Sequence, residues 1–246
     1  MLSQAGIELF IRRLDTTGRL ELPERDALRA LPIRDGVVQA DEDIVREGDI
    51  ANRMFIVVDG LICANKLAMD GRRQIVAFHL PGDAPDLQSL HLARLDMSLT
   101  ALTRSRICYV PHSAVREMCL NFPRVAHALW RHTLVDASVF REWITSIGQR
   151  SAPSRIVHLF CELYVKAATV GLVADNSMDL PITQTKLGEA LGLSTVHVNR
   201  SLQDLRARGL FSLGDGRLTV HDWQGMVRLA NFSADYLHLQ TNPMPE

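Results

Sequence analysis

The 246-residue chain has no apolar run approaching the ~20 residues that a membrane-spanning helix needs. Its start, Met1-Leu2-Ser3-Gln4-Ala5-Gly6-Ile7-Glu8, lacks a basic segment followed by an apolar core, so no secretory leader is expected. Cysteine is scarce. The four residues, Cys63, Cys108, Cys119 and Cys161, lie far apart with no C-x-x-C pair, which argues against a disulfide framework or a zinc knuckle. An excess of one charge is missing too: 27 Lys+Arg against 28 Asp+Glu leave −1, so bulk charge names no partner. There is no internal repeat and no low-complexity tract. What is present is ordinary: 47% hydrophobic and 22% charged residues, which fits a globular chain of one large or two small domains. The expectation is a soluble cytoplasmic protein with a sizeable core.

The hydrophobic period changes along the chain. Ile7, Phe10, Ile11 and Leu14 are spaced as on a helix, and Pro23 opens a second helix carrying Leu28 and Leu31. From Gly36, short β-rich runs follow at close intervals, among them Met54–Val58, Ile75–Phe78 and Ile107–Val110. Two breaks are Asp-Gly (Asp59-Gly60 and Asp70-Gly71), a strong hairpin signal. Residues 36–111 therefore read as an antiparallel β-roll. Pro123 to Gly148 then bounds one long helix of about 24 residues, roughly 36 Å at 1.5 Å per residue. Its apolar residues, including Leu129, Val135, Val139, Phe140, Trp143 and Ile147, wrap more than half the cylinder. That is more than one core face requires, so the second side is expected to meet another surface, such as a second copy of the chain; a central helix within one domain is the alternative. Gly148 to Pro153 reads as a hinge.

The most informative stretch runs from Thr183 to Leu205. Thr183 can cap a helix ending at Leu191, Gly192 supplies a turn, and Ser194 can cap a second helix. Gly188 allows the two helices to approach. This is a helix-turn-helix pattern, whose second helix enters the DNA major groove. Two short helices joined by glycine are also a common packing unit. Val198, Leu202 and Leu205 share the face expected to be buried. The opposite face offers Thr195, Val196, Asn199, Arg200 and Gln203, and His197 is counted with them. Arg200 suits guanine, Asn199 or Gln203 adenine, and Val196 a thymine methyl. Ser194, Thr183 and the free N–H groups suit phosphate. The hairpin around Gly214-Asp215-Gly216 reads as a wing, with Arg217 placed for the backbone. Motif and wing carry five cations against three acids, a weak electrostatic footprint.

The chain resembles the Crp/Fnr family of bacterial transcription factors. The order of parts carries the resemblance, together with Glu47-Gly48-Asp49, Met54–Gly60 and Leu80-Pro81-Gly82-Asp83 in the roll and Leu191–Arg200 in the motif. It implies an α+β chain in three parts. These are a cyclic-nucleotide-binding-like sensor over 1–122, a dimerisation helix and hinge over 123–150, and a winged helix-turn-helix over 151–246. It also implies a homodimer on a palindromic DNA operator, with RNA polymerase as a further partner.

The sequence departs from the family where cyclic nucleotides bind. Relatives that bind them hold the ribose with Gly-Glu-Leu and the phosphate with Arg-Ser. Here the corresponding places read Asp86-Leu87-Gln88 and Met97-Ser98, so Asp86, Leu87, Met97 and Ser98 line the candidate effector pocket and cyclic AMP is not expected. The N-terminal cysteine cluster of the iron–sulfur members is absent as well. A haem would have Cys63, His79 or His91 to choose from, each commoner as a core or surface residue. No cofactor, metal or catalytic constellation is expected. A sensor with a non-DNA output and a β-barrel enzyme are the alternatives; the wing weighs against the first and the lack of a polar cluster in the roll against the second.

Overall fold

The computed structural model describes residues 2–240, and the chain divides into two compact units. The first is made chiefly of the chain up to Lys66 and of Ala77–Ala137. Helices α1 (Leu2–Asp15) and α2 (Leu22–Arg29) precede seven strands. These are β1 (Arg34–Val38), β2 (Asp43–Val45), β3 (Arg53–Asp59), β4 (Ile62–Leu67), β5 (Arg73–His79), β6 (Ser98–Ala101) and β7 (Ser105–Pro111). They form two sheets, β1-β7-β3 and β2-β6-β4-β5. The pairing is antiparallel, with Phe55 opposite Tyr109 and Cys63 opposite Thr100. The β-roll read from the sequence is thus present.

Strand β3 is buried from Met54 to Val58, without the alternation of a half-exposed strand. Met54, Ile56 and Val58 join Phe10, Ile11 and Leu14 of α1 in one apolar cluster. By the period of two, Phe55 and Val57 face the other way, and they are buried as well. Arg13 on α1 meets Asp83 in a buried ion pair at 2.7 Å, fixing α1 to the turn after β5. Helix α3 (His112–Asn121) follows, then α4 (Pro123–Gln149), the long helix.

The second unit comprises Leu67–Val76 and Ser138–His238. The division therefore falls inside α4, between Ala137 and Ser138, whereas the sequence places a hinge at Gly148–Pro153. After α5 (Ala152–Thr169) come β8 (Ser177–Asp179), α6 (Gln184–Leu191), α7 (Thr195–Ala207), β9 (Phe211–Gly214), β10 (Arg217–Val220) and α8 (Trp223–Ala230). The sheet order β8-β10-β9 gives the wing a third strand. Strand β8 lies in the polar segment Gly171–Asp179 and has only three residues and one buried side chain, Met178, too short for a period to show in the sequence.

Candidate nucleic-acid interface

Local chemistry sets both helices of the motif. The Thr183 hydroxyl accepts from the N–H of Lys186 and the Ser194 hydroxyl from that of His197, each at 3.3 Å. Gly192 closes α6 in the left-handed conformation at φ +65°. A Cβ on Gly188 would come within 2.6 Å of the Leu193 carbonyl oxygen, so only glycine lets the turn fold back on α6. Val198, Leu202 and Leu205 are buried on α7. Thr195, Val196, His197, Asn199, Arg200 and Gln203 are exposed, Val196 at 81%. The expected reading face is thus the solvent face. Asn199 donates its Nδ2 hydrogen to Oε1 of Gln184 at 3.1 Å, a contact across the motif that helical periodicity cannot show.

The wing turns tightly through Asp215 and Gly216, both at positive φ, the geometry that matches strand twist in a two-residue hairpin. Arg217 does not stand alone there. Its Nη1 donates to Asp179 on β8 at 2.9 Å, so part of its charge is already matched. Glu189 on α6 accepts Arg73 at 3.0 Å and faces Lys186 at 3.8 Å. Gln74 donates to the Ala190 carbonyl beside it. With Glu189 neutralised in this way, Arg200 projects from a less acidic surface than the bare sequence counts.

A buried polar cluster braces the same unit. Glu162 on α5 accepts the Trp143 indole N–H at 3.1 and 3.2 Å and the Tyr236 hydroxyl at 2.8 Å. Burial lifts the Glu162 carboxyl above its usual range and pushes the Tyr236 hydroxyl up, helped by the neighbouring Glu162 charge. His158, one turn earlier, stacks on Tyr236 and is held neutral: burial, then the Arg150 charge, lower its pKa to about 3.

This cluster corrects part of the interface read from α4. Trp143 is buried because its indole N–H has its partner inside the chain, and Leu129 and Val139 are buried too. Val135 and Ile147 are half-buried. Only Phe140, among the six expected contacts, belongs to the exposed set, which is Trp130 (65%), Leu134 (53%), Phe140 (36%) and Ile144 (72%). The helix does have two apolar sides, but the outward one is rotated from the expected residues.

The candidate effector positions also part company. Asp86 is 1% exposed and accepts the Phe55 N–H at 3.1 Å, so it pins a strand and does not face an open pocket. Leu87 belongs to the core and lines a groove of about 740 Å³ between the 3-10 turn Leu87–Leu90 and helices α3 and α4. Met97 is half-buried, and Ser98 accepts the Glu47 N–H at 3.1 Å. None of these last two, nor Asp86, lines that groove. Cys63 and His79 are buried in the roll, and His91 is exposed.

Burial raises the Asp86 carboxyl to about 7, against the smaller opposing pull of the Phe55 N–H and Arg53. The folded state therefore holds a proton that the unfolded chain, titrating near 4, has released. Between those values stability falls as pH rises. Asp86→Asn keeps the acceptor and removes the titration. In urea unfolding at pH 5 and pH 8, the variant should gain on the parent by roughly 2–4 kcal/mol across that interval. An unchanged difference would show that the carboxyl does not titrate there.

Comparison with known proteins agrees with this geometry. A cyclic nucleotide-binding domain matches residues 36–122, and a Crp-like helix-turn-helix domain matches residues 154–229. The transcriptional activator protein FnrL of Cereibacter sphaeroides is 27% identical over 201 residues, 80% of each chain. The nitrogen fixation regulation protein FixK of Azorhizobium caulinodans is 28% identical over 194 residues, 78% of this chain and 77% of that one. The structure of FixK2 from Bradyrhizobium japonicum covers 83% of this chain and 100% of its own, at 27% identity and a TM-score of 0.73.

A β-roll of the cyclic-nucleotide-binding type and a capped helix-turn-helix with a wing define a DNA-binding transcriptional regulator. The chain belongs to the Crp/Fnr family.

Proposed function

We propose that two copies of this chain, joined along α4, set α7 of each into successive major grooves of a palindromic operator. The observation that carries this reading is the split of α7 into a buried face (Val198, Leu202, Leu205) and an exposed polar one around Asn199, Arg200 and Gln203. Arg200 would read guanine, Asn199 adenine and Val196 a thymine methyl. Thr183, Ser194, Thr195, His197 and Gln203 would lie along the backbone and base edges, with Arg217 on the wing. The work is on DNA, which places the regulator in the cytoplasm with RNA polymerase as its further partner. Leu87 of Asp86-Leu87-Gln88 and Met97 replace the polar groups that would hold a cyclic nucleotide, so the effector is of another kind. Pull-down of genomic fragments by the full chain should enrich one palindromic sequence. Recovery indistinguishable from input would sink the proposal.

Dimerisation is supported by the outward stripe of α4. Large apolar side chains left in water in this number are an association surface or a liability. Leu134→Glu should weaken self-association at least a hundredfold, because each copy would bring an unpaired charge to the seam. Sedimentation equilibrium on parent and variant measures this. A parent that is monomeric at micromolar concentration, or a variant as dimeric as the parent, would remove α4 as the seam.

A further inference from the structure

We infer that Gln184, on the first helix of the motif, determines the base preference of Asn199 by holding its amide in one orientation. This rests on the reading of α7 as the DNA-reading helix.

A free asparagine is an ambiguous reader. Its terminal torsion is broad, and the amide presents oxygen and nitrogen in either order. In this structure the order is tied to a partner. One Nδ2 hydrogen of Asn199 is engaged by Oε1 of Gln184 at 3.1 Å. Gln184 is itself half-buried and fixed at the start of α6, next to the capping residue Thr183. That leaves Asn199 with one free N–H and its carbonyl oxygen on a single edge. A donor beside an acceptor, in a fixed order, complements N7 and the 6-amino group of adenine in the major groove. Turned by 180°, the same amide would present its oxygen to Gln184 Oε1, two acceptors face to face, so Asn199 can turn only if the Gln184 amide turns with it. Gln184 thus acts as a positioning residue: it need not touch a base to set which base Asn199 accepts.

Arg200 needs no such partner, because its guanidinium carries donors only. The two neighbouring readers therefore depend on the motif differently. Loss of Gln184 should leave the guanine position intact and relax the adenine position alone.

The experiment is selection of binding sites from random duplexes by the full chain, followed by affinity measurement on single-base variants of the selected site. The parent, Gln184→Ala, Gln184→Glu, Asn199→Ala and the double variant are compared, with circular dichroism confirming folding. The parent should prefer adenine at one position of each half-site by roughly tenfold or more. Asn199→Ala and Gln184→Ala should both lose most of that preference, at the same position. The double variant should lose no more than Asn199→Ala, since the two act as one unit. Gln184→Glu keeps the accepting oxygen and should keep the adenine preference, even as its charge weakens binding to every duplex. A merely structural role for Gln184 would instead lower affinity for all sequences equally and leave the preference in place; that result overturns the inference. If the parent selects no sequence at all, the reading of α7 falls with it.

Discussion

Arg200→Ala is expected to weaken binding to the selected operator ten- to a hundredfold per half-site, while binding to random DNA changes little. The reason is geometric. Arg200 is exposed on α7, opposite the buried Val198, and a bidentate contact to guanine O6 and N7 supplies ~1–3 kcal/mol of discrimination. Random duplexes do not present that contact, so they lose only a share of the phosphate attraction. Arg217→Ala on the wing should behave differently: a small, similar loss on all sequences with a flatter salt dependence. The loss is small because Asp179 already matches part of the Arg217 charge. Val198→Asp provides the contrast for folding, since it puts a charge at a side chain with 0% exposure and should unfold the motif. Fluorescence anisotropy over a range of salt, with circular dichroism on each variant, measures all three. A folded Arg200→Ala protein that binds the operator as tightly as the parent would mean that another face of α7 reads the groove.

Glu162→Ala is expected to destabilise the DNA-binding unit by about 3–5 kcal/mol, the cost of breaking a buried polar network. The substitution leaves the Trp143 N–H and the Tyr236 hydroxyl without their acceptor and opens a cavity beneath them. Glu162→Gln keeps one accepting oxygen and removes a buried charge, so it should cost much less. Burial raises the Glu162 carboxyl above the unfolded value, so its charge is a burden at neutral pH that acid relieves. The gap between Glu162→Gln and the parent should therefore move toward the parent as pH falls through the folded pKa. Urea unfolding followed by Trp fluorescence and by circular dichroism gives both numbers. Equal stability of Glu162→Ala and the parent would show that the cluster contributes nothing.

Local patterns carried much of this protein's description. The Asp-Gly turns and short β-rich runs define the roll, because a strand's period and a turn's positive φ are properties of a few adjacent residues. The caps at Thr183 and Ser194, the left-handed Gly192 and the close approach at Gly188 define the motif for the same reason. Periodicity alone also separated Val198, Leu202 and Leu205 from the exposed face of α7. It failed on α4, where apolar residues surround most of the helix and only contact decides which side is inward. Trp143 faces inward because Glu162, 19 residues away, accepts its N–H; Glu162 in turn accepts the hydroxyl hydrogen of Tyr236, 74 residues away. Asp179 and Arg217, and Gln184 and Asn199, meet only once the strands of the wing and the helices of the motif are packed. A sequence displays the spacing of side chains along one element. Which of them find each other across elements is set by the packing that brings distant polar groups within hydrogen-bond reach.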